Sequence, residues 1–219
     1  MNSPVPQLEL QPEEAVLYGW IHALGVYQPR WNAKQHANSP WSRAVVLAKR
    51  KQENILNWFA SVIAAHLEHL LKPGDEYIIT PVPGEWEQDR HLLPDGYQGA
   101  TEMLADCILT GLAWQGRLRV ERLIVQIKAK AKRQHQCLNA AERAANVRGI
   151  YALREDVRVL GKNVILLDDV ITSGATMTEC ARVLRQAGVA EILGIALART
   201  MRLKPPDLNG WWLFVEPGT

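Results

Sequence analysis

Two adjacent acidic residues and a hydroxyl-rich turn stand close together in the second half of the chain. Residues 164–176 read VILLDDVITSGAT. Four consecutive apolar residues are typical of a strand that is buried on both faces of a sheet. Asp168 and Asp169 then fall at the carboxyl end of that strand, where open α/β sheets bind their ligands. The pattern predicts a ligand site at this strand end.

The turn after the two acids has the chemistry of an anion site. It contains Thr172, Ser173, Gly174, Ala175 and Thr176, and a helix is predicted to begin at Ala175. A glycine-containing turn that opens a helix presents backbone N–H groups, and the helix dipole adds to their attraction for a phosphate. The neighbouring carboxylates can accept hydrogen bonds from two vicinal sugar hydroxyls. A phosphorylated ribose satisfies both halves of the segment.

Two other interpretations of this segment were weighed. Asp168, Asp169 and Thr172 could act only as helix caps, but a cap needs one such residue rather than two acids and three hydroxyls. Apolar strands followed by acids also occur in nucleotide triphosphatases, whose phosphate loop reads GxxxxGK[ST]. The only Gly-Lys pair of this chain, at 161–162, lacks both the upstream glycine and the following Ser or Thr. We therefore favour the ribose phosphate interpretation.

Helices and strands alternate through the middle of the chain. Apolar residues recur at helical spacing from Ile55 to Leu71, and Pro73-Gly74 ends that helix. The later predicted elements are a strand at 77–82, a helix at 97–114, a strand at 122–127, a helix at 139–147, strands at 157–160 and 164–167, a helix at 175–187 and a strand at 192–198. This alternation predicts an α/β fold, with a mainly parallel sheet flanked by helices.

Composition places the chain among ordinary globular proteins. Its 219 residues are 47% hydrophobic, and the net charge of +2 is too small to indicate that its surface as a whole binds nucleic acid. Cys107, Cys137 and Cys180 form no CxxC pair, which excludes a cysteine-rich zinc module. His66 and His69 have a spacing that can ligate a metal, but no third ligand is indicated. No apolar run approaches the ~20 residues that cross a bilayer, so we expect a cytoplasmic protein with no membrane partner.

The first forty residues differ from the rest of the chain. They are rich in aromatic residues, namely Tyr18, Trp20, Tyr27, Trp31 and Trp41. Aromatic residues most often pack against other apolar groups, and a stacking platform for single-stranded nucleic acid is the alternative. We predict an N-terminal extension or hood over residues 1–43, a main domain over 44–200 and a C-terminal tail over 201–219.

Two segments resemble a known superfamily. Residues 164–176 resemble the signature with which type I phosphoribosyltransferases bind 5-phosphoribosyl-1-pyrophosphate (PRPP). Residues 136–149, QCLNAAERAANVRG, resemble the Q-x-L-x-x-x-E-R-x-x-N-V-x-G signature of the ComF-like, competence-associated branch of that superfamily. The resemblance extends over about 44–200. ComF-like proteins often begin with a four-cysteine zinc finger, and no cysteine precedes Cys107 here.

The resemblance implies a type I phosphoribosyltransferase fold that binds PRPP or a nucleoside monophosphate. It assigns the ribose hydroxyls to Asp168 and Asp169. The 5′-phosphate would be held by Thr172, Ser173, Gly174, Ala175 and Thr176. The pyrophosphate loop would contain Pro83, Gly84 and Arg90. A flexible loop that closes over the site would contain Lys128, Lys130, Lys132 and Arg133. Mg²⁺ would arrive with the pyrophosphate, without a metal site built from the protein alone.

One departure from the superfamily bears on the choice between functions. Glu85, Glu87 and Asp89 follow Pro83-Gly84, where relatives tend to have Arg and Lys, and these acids would repel pyrophosphate unless magnesium intervenes. The main hypothesis is a phosphoribosyltransferase, which transfers phosphoribosyl to an acceptor that the sequence does not indicate. The alternatives are a non-catalytic PRPP or nucleotide sensor, which the acidic run favours, and a competence-type accessory that handles single-stranded DNA. The sequence does not indicate the oligomeric state.

Overall fold

The computed structural model describes residues 16–30, 33–84, 97–111, 116–131 and 139–200. Within these residues the chain forms nine strands and six helices. The strands are β1 (Val16–Tyr18), β2 (Ile21–Ala23), β3 (Val26–Tyr27), β4 (Tyr77–Pro81), β5 (Leu118–Val120), β6 (Ile124–Gln126), β7 (Tyr151–Leu153), β8 (Asn163–Ile171) and β9 (Glu191–Thr200). The helices are α1 (Ala33–Asn38), α2 (Pro40–Lys49), α3 (Glu53–Leu70), α4 (Ala100–Gly111), α5 (Ala140–Val147) and α6 (Ala175–Gln186).

The predicted α/β fold with a mainly parallel sheet is confirmed. Seven strands form one sheet in the order β1-β2-β9-β8-β4-β5, and β3 also pairs with β9. Every pairing in it is parallel except that between β1 and β2. From β4 the chain passes through α4 to β5 on one side, and later returns to β8 on the other side of β4. This reversal makes the junction of β4 and β8 a topological switch point, where the carboxyl ends of strands leave room for a ligand.

The central strand β8 is buried on both faces, as its apolar run predicts. Ile165 and Leu167 pack with α2, α3 and α4 on one face. Val164 and Leu166 pack with α5 and α6 on the other face. All four side chains are 0–1% exposed. Within the described residues, no helix has the length and apolar character needed to cross a membrane.

The strand predicted at 157–160 is not formed. Val157 and Val159 are buried in the core, but this segment pairs with no strand within the described part of the chain. Alternation of apolar residues reports burial on one face, and it does not require a partner strand. The prediction also missed β7, which pairs antiparallel with β6 in a separate two-stranded sheet, and β5, a three-residue strand beside β4.

The described part of the N-terminal segment is joined to the main sheet. Strands β2 and β3 pair with β9, and Trp41 donates its indole N–H to the carbonyl of Leu197 at 2.8 Å. Helix α2 begins at Pro40, where the hydroxyl of Ser39 accepts a hydrogen bond from the Ser42 N–H at 3.1 Å. The boundary predicted after residue 43 falls inside α2, and the division into domains stays a prediction.

The Trp41 ring packs against Gly25, and a substitution at Gly25 tests how much this contact contributes to stability. A Cβ atom added at Gly25 would lie 2.3 Å from Cε2 of Trp41. We expect Gly25→Ala to lower the free energy of unfolding by about 1–3 kcal/mol, the usual effect of overpacking a core, as measured by urea denaturation. Ser61→Ala, on the exposed side of α3, serves as the control. Equal stability of all three proteins would mean that the ring does not rest on this backbone.

Candidate functional site

A cavity of about 790 Å³ opens at the carboxyl ends of β4 and β8. Its volume lies in the range typical of small-molecule sites. The backbone pairing of Pro81 with Leu167 brings the two strand ends side by side, and the N–H of Val82 donates to the carbonyl of Leu167 at 2.8 Å. Residues 82–84, which follow β4, and residues 168–176, which are the last four residues of β8 and the turn after it, therefore face one space.

The hydroxyl-rich turn forms one wall of this cavity. All five residues from Thr172 to Thr176 line it, and all are half-buried rather than covered. Gly174 adopts the left-handed conformation, with φ 69° and ψ −2°, at the N-cap of α6. Gly174 has no side chain to cap this helix, and the hydroxyl of Ser173 accepts only a long hydrogen bond, of 3.5 Å, from the Ala175 N–H. The N–H groups at the start of the helix therefore face a ligand with little competition from the protein. The turn has the geometry of an anion site.

Asp168 and Asp169 lie inside β8 rather than after it, because β8 continues to Ile171. Both line the cavity. The backbone N–H of Asp169 donates to Oδ1 of Asp168 at 2.8 Å. Oδ2 of Asp169 lies 3.0 Å from Nζ of Lys49, at the end of α2. The two carboxylates are therefore adjacent, and one of them carries an ion pair.

The electrostatics of this pair are unusual for a protein surface. Burial, and then the charge of Asp169, raise the pKa of Asp168 from 3.8 to about 7, against the opposing effects of the Asp169 N–H, Lys49 and Lys130. Burial alone would lower the pKa of Lys49, but the charge of Asp169 and the hydrogen bond to it outweigh burial and raise that pKa. The site concentrates negative charge that a ligand hydroxyl or a cation can stabilise.

The opposite wall follows β4. Pro83 and Gly84 line the cavity, and their assignment to a pyrophosphate loop stays a prediction. Arg90, the third residue predicted for this loop, lies outside the described residues. Helix α4 begins beside them, and the N–H of Gly99 donates to the carboxylate of Glu102 at 2.6 Å. Glu102 also pairs with Arg122.

The residues predicted for a flexible loop separate in the structure. Lys130 is half-buried and lines the cavity. Lys128 is exposed and is not among the cavity residues. Lys132 and Arg133 lie outside the described residues. The structure thus brings one of the two described lysines to the site.

Several cavity residues were missed by the sequence analysis. They are Tyr27, Lys49, Lys51, Tyr97, Arg143 and Thr200. Arg143 carried a signal, since it belongs to the E-R pair of the ComF-like signature, and Tyr97 carried a weaker one, since it matches an aromatic position of the family's R-G-[FY]-[ND]-Q element. The segment that follows Arg143 is tied to α6, because the N–H of Gly149 donates to Glu179 at 2.7 Å and Glu179 also binds Arg182. The others come from distant parts of the chain.

The histidine pair considered as a metal site has a different arrangement. His66 lies with its Nε2 3.0 Å from Nδ1 of His22 on β2. Burial lowers the pKa of both rings, and each is lowered further by a neighbouring histidine. Among the described residues, no group of three His, Cys, Asp or Glu side chains could hold a metal ion. The hydrogen bond between His22 and His66 joins α3 to β2 of the main sheet.

Comparison with known proteins bears on the second half of the chain, which supplies the two acids and the turn of this site. A family model described as the phosphoribosyl transferase domain matches residues 117–216. The matched segment contains Asp168, Asp169 and the turn that follows them. The predicted relationship to the phosphoribosyltransferase superfamily is thereby confirmed.

Curated relatives share shorter stretches with this chain. The "DNA utilization protein YhgH" of Salmonella typhi and that of Salmonella typhimurium are each 32% identical over 88 residues, which are 40% of this chain and 37% of the relative. A ribose-phosphate pyrophosphokinase of Pyrococcus abyssi is 49% identical over 41 residues, or 19% of this chain and 14% of that protein. The matches thus span little more than a third of the Salmonella proteins.

Solved phosphoribosyltransferases are more distant in sequence. A hypoxanthine phosphoribosyltransferase of Staphylococcus aureus has a TM-score of 0.41 at 8% identity, over 68% of this chain and 74% of that one. A hypoxanthine-guanine phosphoribosyltransferase of Bacillus anthracis has a TM-score of 0.42 at 15% identity, over 70% of this chain and 73% of that one.

The raised pKa of Asp168 predicts how stability depends on pH. The folded protein keeps a proton on Asp168 that the unfolded chain releases, so the free energy of unfolding falls as pH rises from about 4 to about 7. Asp168→Asn removes the charge, and we expect it to be more stable than the wild type at pH 8 by on the order of 2 kcal/mol. The difference should shrink at pH 5, where Asp168 is already protonated.

Urea denaturation at the two pH values measures this difference. Asp156→Asn is a matched control, because Asp156 is exposed and its hydrogen bond to Arg154 lowers its pKa. The control should show no gain in stability at pH 8. A loss of stability in Asp168→Asn at both pH values would contradict the account, since it would make the carboxylate a structural acceptor.

Proposed function

We propose that the protein binds PRPP, or a nucleoside 5′-monophosphate, and transfers the phosphoribosyl group to an acceptor. The observation that carries this proposal is the sharing of one cavity by the N-terminus of α6 and the two carboxylates of β8. A phosphate needs N–H donors, and a ribose needs acceptors for its vicinal hydroxyls. Both sets lie next to each other because nine residues of one strand-turn-helix segment, 168–176, supply them in sequence.

The proposed mechanism follows from the positions of these groups. The turn from Thr172 to Thr176 holds the 5′-phosphate, and Asp168 and Asp169 orient the ribose hydroxyls. The bond from the anomeric carbon to pyrophosphate breaks, and the acceptor forms a new bond to that carbon. Positive charge develops on the sugar ring during this exchange, and the nearby carboxylates stabilise it. Positioning supplies much of the remaining rate.

Magnesium suits the donors present at the site. Carboxylate oxygens are hard ligands of the kind that Mg²⁺ prefers, and it usually keeps waters and substrate phosphates as its other ligands. Asp168 and Asp169 are the described residues that would face such an ion. Burial, and then the charge of Asp169, raise the pKa of Asp168, and a bound cation would favour its ionised form. When bound with pyrophosphate, the ion would neutralise the leaving group.

Two alternatives remain as outcomes of the tests. A PRPP or nucleotide sensor would bind the same ligands without transfer. Handling of single-stranded DNA is the other alternative, and the name of the Salmonella relatives favours it.

A cytoplasmic location is part of the proposal, since Cys107 and Cys180 are unpaired thiols and a reducing compartment preserves such groups.

Substitution of the two acids tests the proposed function. Each hydrogen bond to a charged acceptor contributes on the order of 1.5–3 kcal/mol, so Asp168→Asn and Asp169→Asn should each weaken PRPP binding roughly ten- to a hundredfold. Inorganic phosphate lacks a ribose, and its affinity should hold or improve as negative charge is removed. Calorimetric titration at pH 8, where Asp168 is ionised, measures both ligands, and Asp156→Asn is again the matched control.

Distinct outcomes separate the alternatives. Selective loss of PRPP affinity with retained phosphate affinity supports the ribose site. Unchanged PRPP affinity in both variants would place the site elsewhere. Tight PRPP binding without release of pyrophosphate in the presence of nucleobase acceptors favours the sensor, and strong binding of single-stranded DNA with no PRPP binding favours the DNA-handling role.

A further inference from the structure

Lys51 has a backbone conformation that normally selects glycine. Helix α2 ends at Lys49, and Lys51 follows with φ 60°, as the only non-glycine residue with positive φ among those the structure describes. Its N–H donates to the carbonyl of Ala48 at 2.8 Å, and the N–H of Gln52 donates to Leu47 at 3.2 Å. These two bonds form a Schellman motif, in which the left-handed residue is usually glycine.

A lysine is unfavourable at this position, so its side chain should have a role that a glycine lacks. A residue with a Cβ is strained in the left-handed region, and strained residues concentrate at binding and catalytic sites. The Lys51 side chain is half-buried and lines the large cavity. Its Nζ lies 3.8 Å from the centre of the Tyr97 ring, which also lines the cavity. The motif therefore aims an ammonium group into the site.

The position of Tyr97 places this ammonium on the β4 side of the cavity. Tyr97 precedes Gly99 and the first turn of α4. Pro83 and Gly84, which follow β4, and Thr101, in the first turn of α4, also line the cavity. The N-terminus of α6 and the carboxylates of β8 are at the other side of the switch point. A PRPP molecule whose 5′-phosphate and ribose lie there would extend its pyrophosphate toward the wall that Lys51 faces.

We propose that Lys51 binds the pyrophosphate group of PRPP, an inference that rests on the proposed function. In sequence, the loop after Pro83 carries Glu85, Glu87 and Asp89 before its first basic residue, Arg90. A pyrophosphate needs positive charge from another part of the chain, and the turn between α2 and α3 supplies it. The lysine is a binding residue selected for charge at a position where the backbone favours glycine.

Lys51→Gly tests this assignment, because the backbone and the ligand should respond in opposite directions. Glycine relieves the left-handed strain, so the thermal midpoint should hold or rise. Loss of a charged hydrogen-bond donor should weaken PRPP binding, measured with Mg²⁺, roughly ten- to a hundredfold. Ribose 5-phosphate has no pyrophosphate, and its affinity should stay unchanged. Lys51→Arg keeps the charge and should retain most of the PRPP affinity.

Arg50→Ala is the matched control for a general effect of charge. Arg50 adjoins Lys51 but lines a separate cavity of about 260 Å³, so its removal should leave both affinities unchanged. PRPP binding by Lys51→Gly at wild-type strength would overturn the assignment, as would equal loss of PRPP and ribose 5-phosphate. In either case the proposed function stands if Asp168→Asn still weakens ribose 5-phosphate binding. The proposed function fails if substitution of Lys51 and of the two acids leaves the affinities for PRPP and ribose 5-phosphate unchanged.

Discussion

Placing two neighbouring carboxylates at the end of a strand buried on both faces sets the main electrostatic constraint on this structure. Asp168 and Asp169 repel each other in surroundings that hydrate them poorly, and the raised pKa of Asp168 records that cost. The surrounding structure offsets part of it through the Asp169 N–H and through Lys49. A ligand with sugar hydroxyls, or a cation, would offset more. The site trades stability for affinity, which is common where function needs unfavourable groups close together.

The crevice around the two carboxylates is formed by the topology of the sheet. Because the chain leaves β4 in one direction and returns to β8 on the other side, the ends of the two strands form a crevice. The N-terminal segment then completes the crevice. Strand β3 pairs with the end of β9. Lys49, at the end of α2, meets Asp169. Lys51, in the turn after α2, meets Tyr97.

The sequence predicted the parts of the site that are contiguous in the chain. Residues 164–176 combine a buried strand, two acids and a helix N-terminus, so burial pattern and residue chemistry agreed. Lys49 and Lys51 could not be predicted, because only tertiary packing of α2 brings them to Asp169 and Tyr97. The prediction of a strand at 157–160 was wrong because it also depended on tertiary structure. A buried alternating pattern forms a strand only where the edge of another strand is free to pair with it.

The most direct test of the central claim is a crystal structure of the protein with ribose 5-phosphate. The account predicts the phosphate against the backbone N–H groups of residues 173–176, with the ribose hydroxyls within hydrogen-bond distance of Asp168 and Asp169. A phosphate bound in the arginine-lined cavity beside Arg43 and Arg50, or a ribose turned away from the two carboxylates, would contradict it.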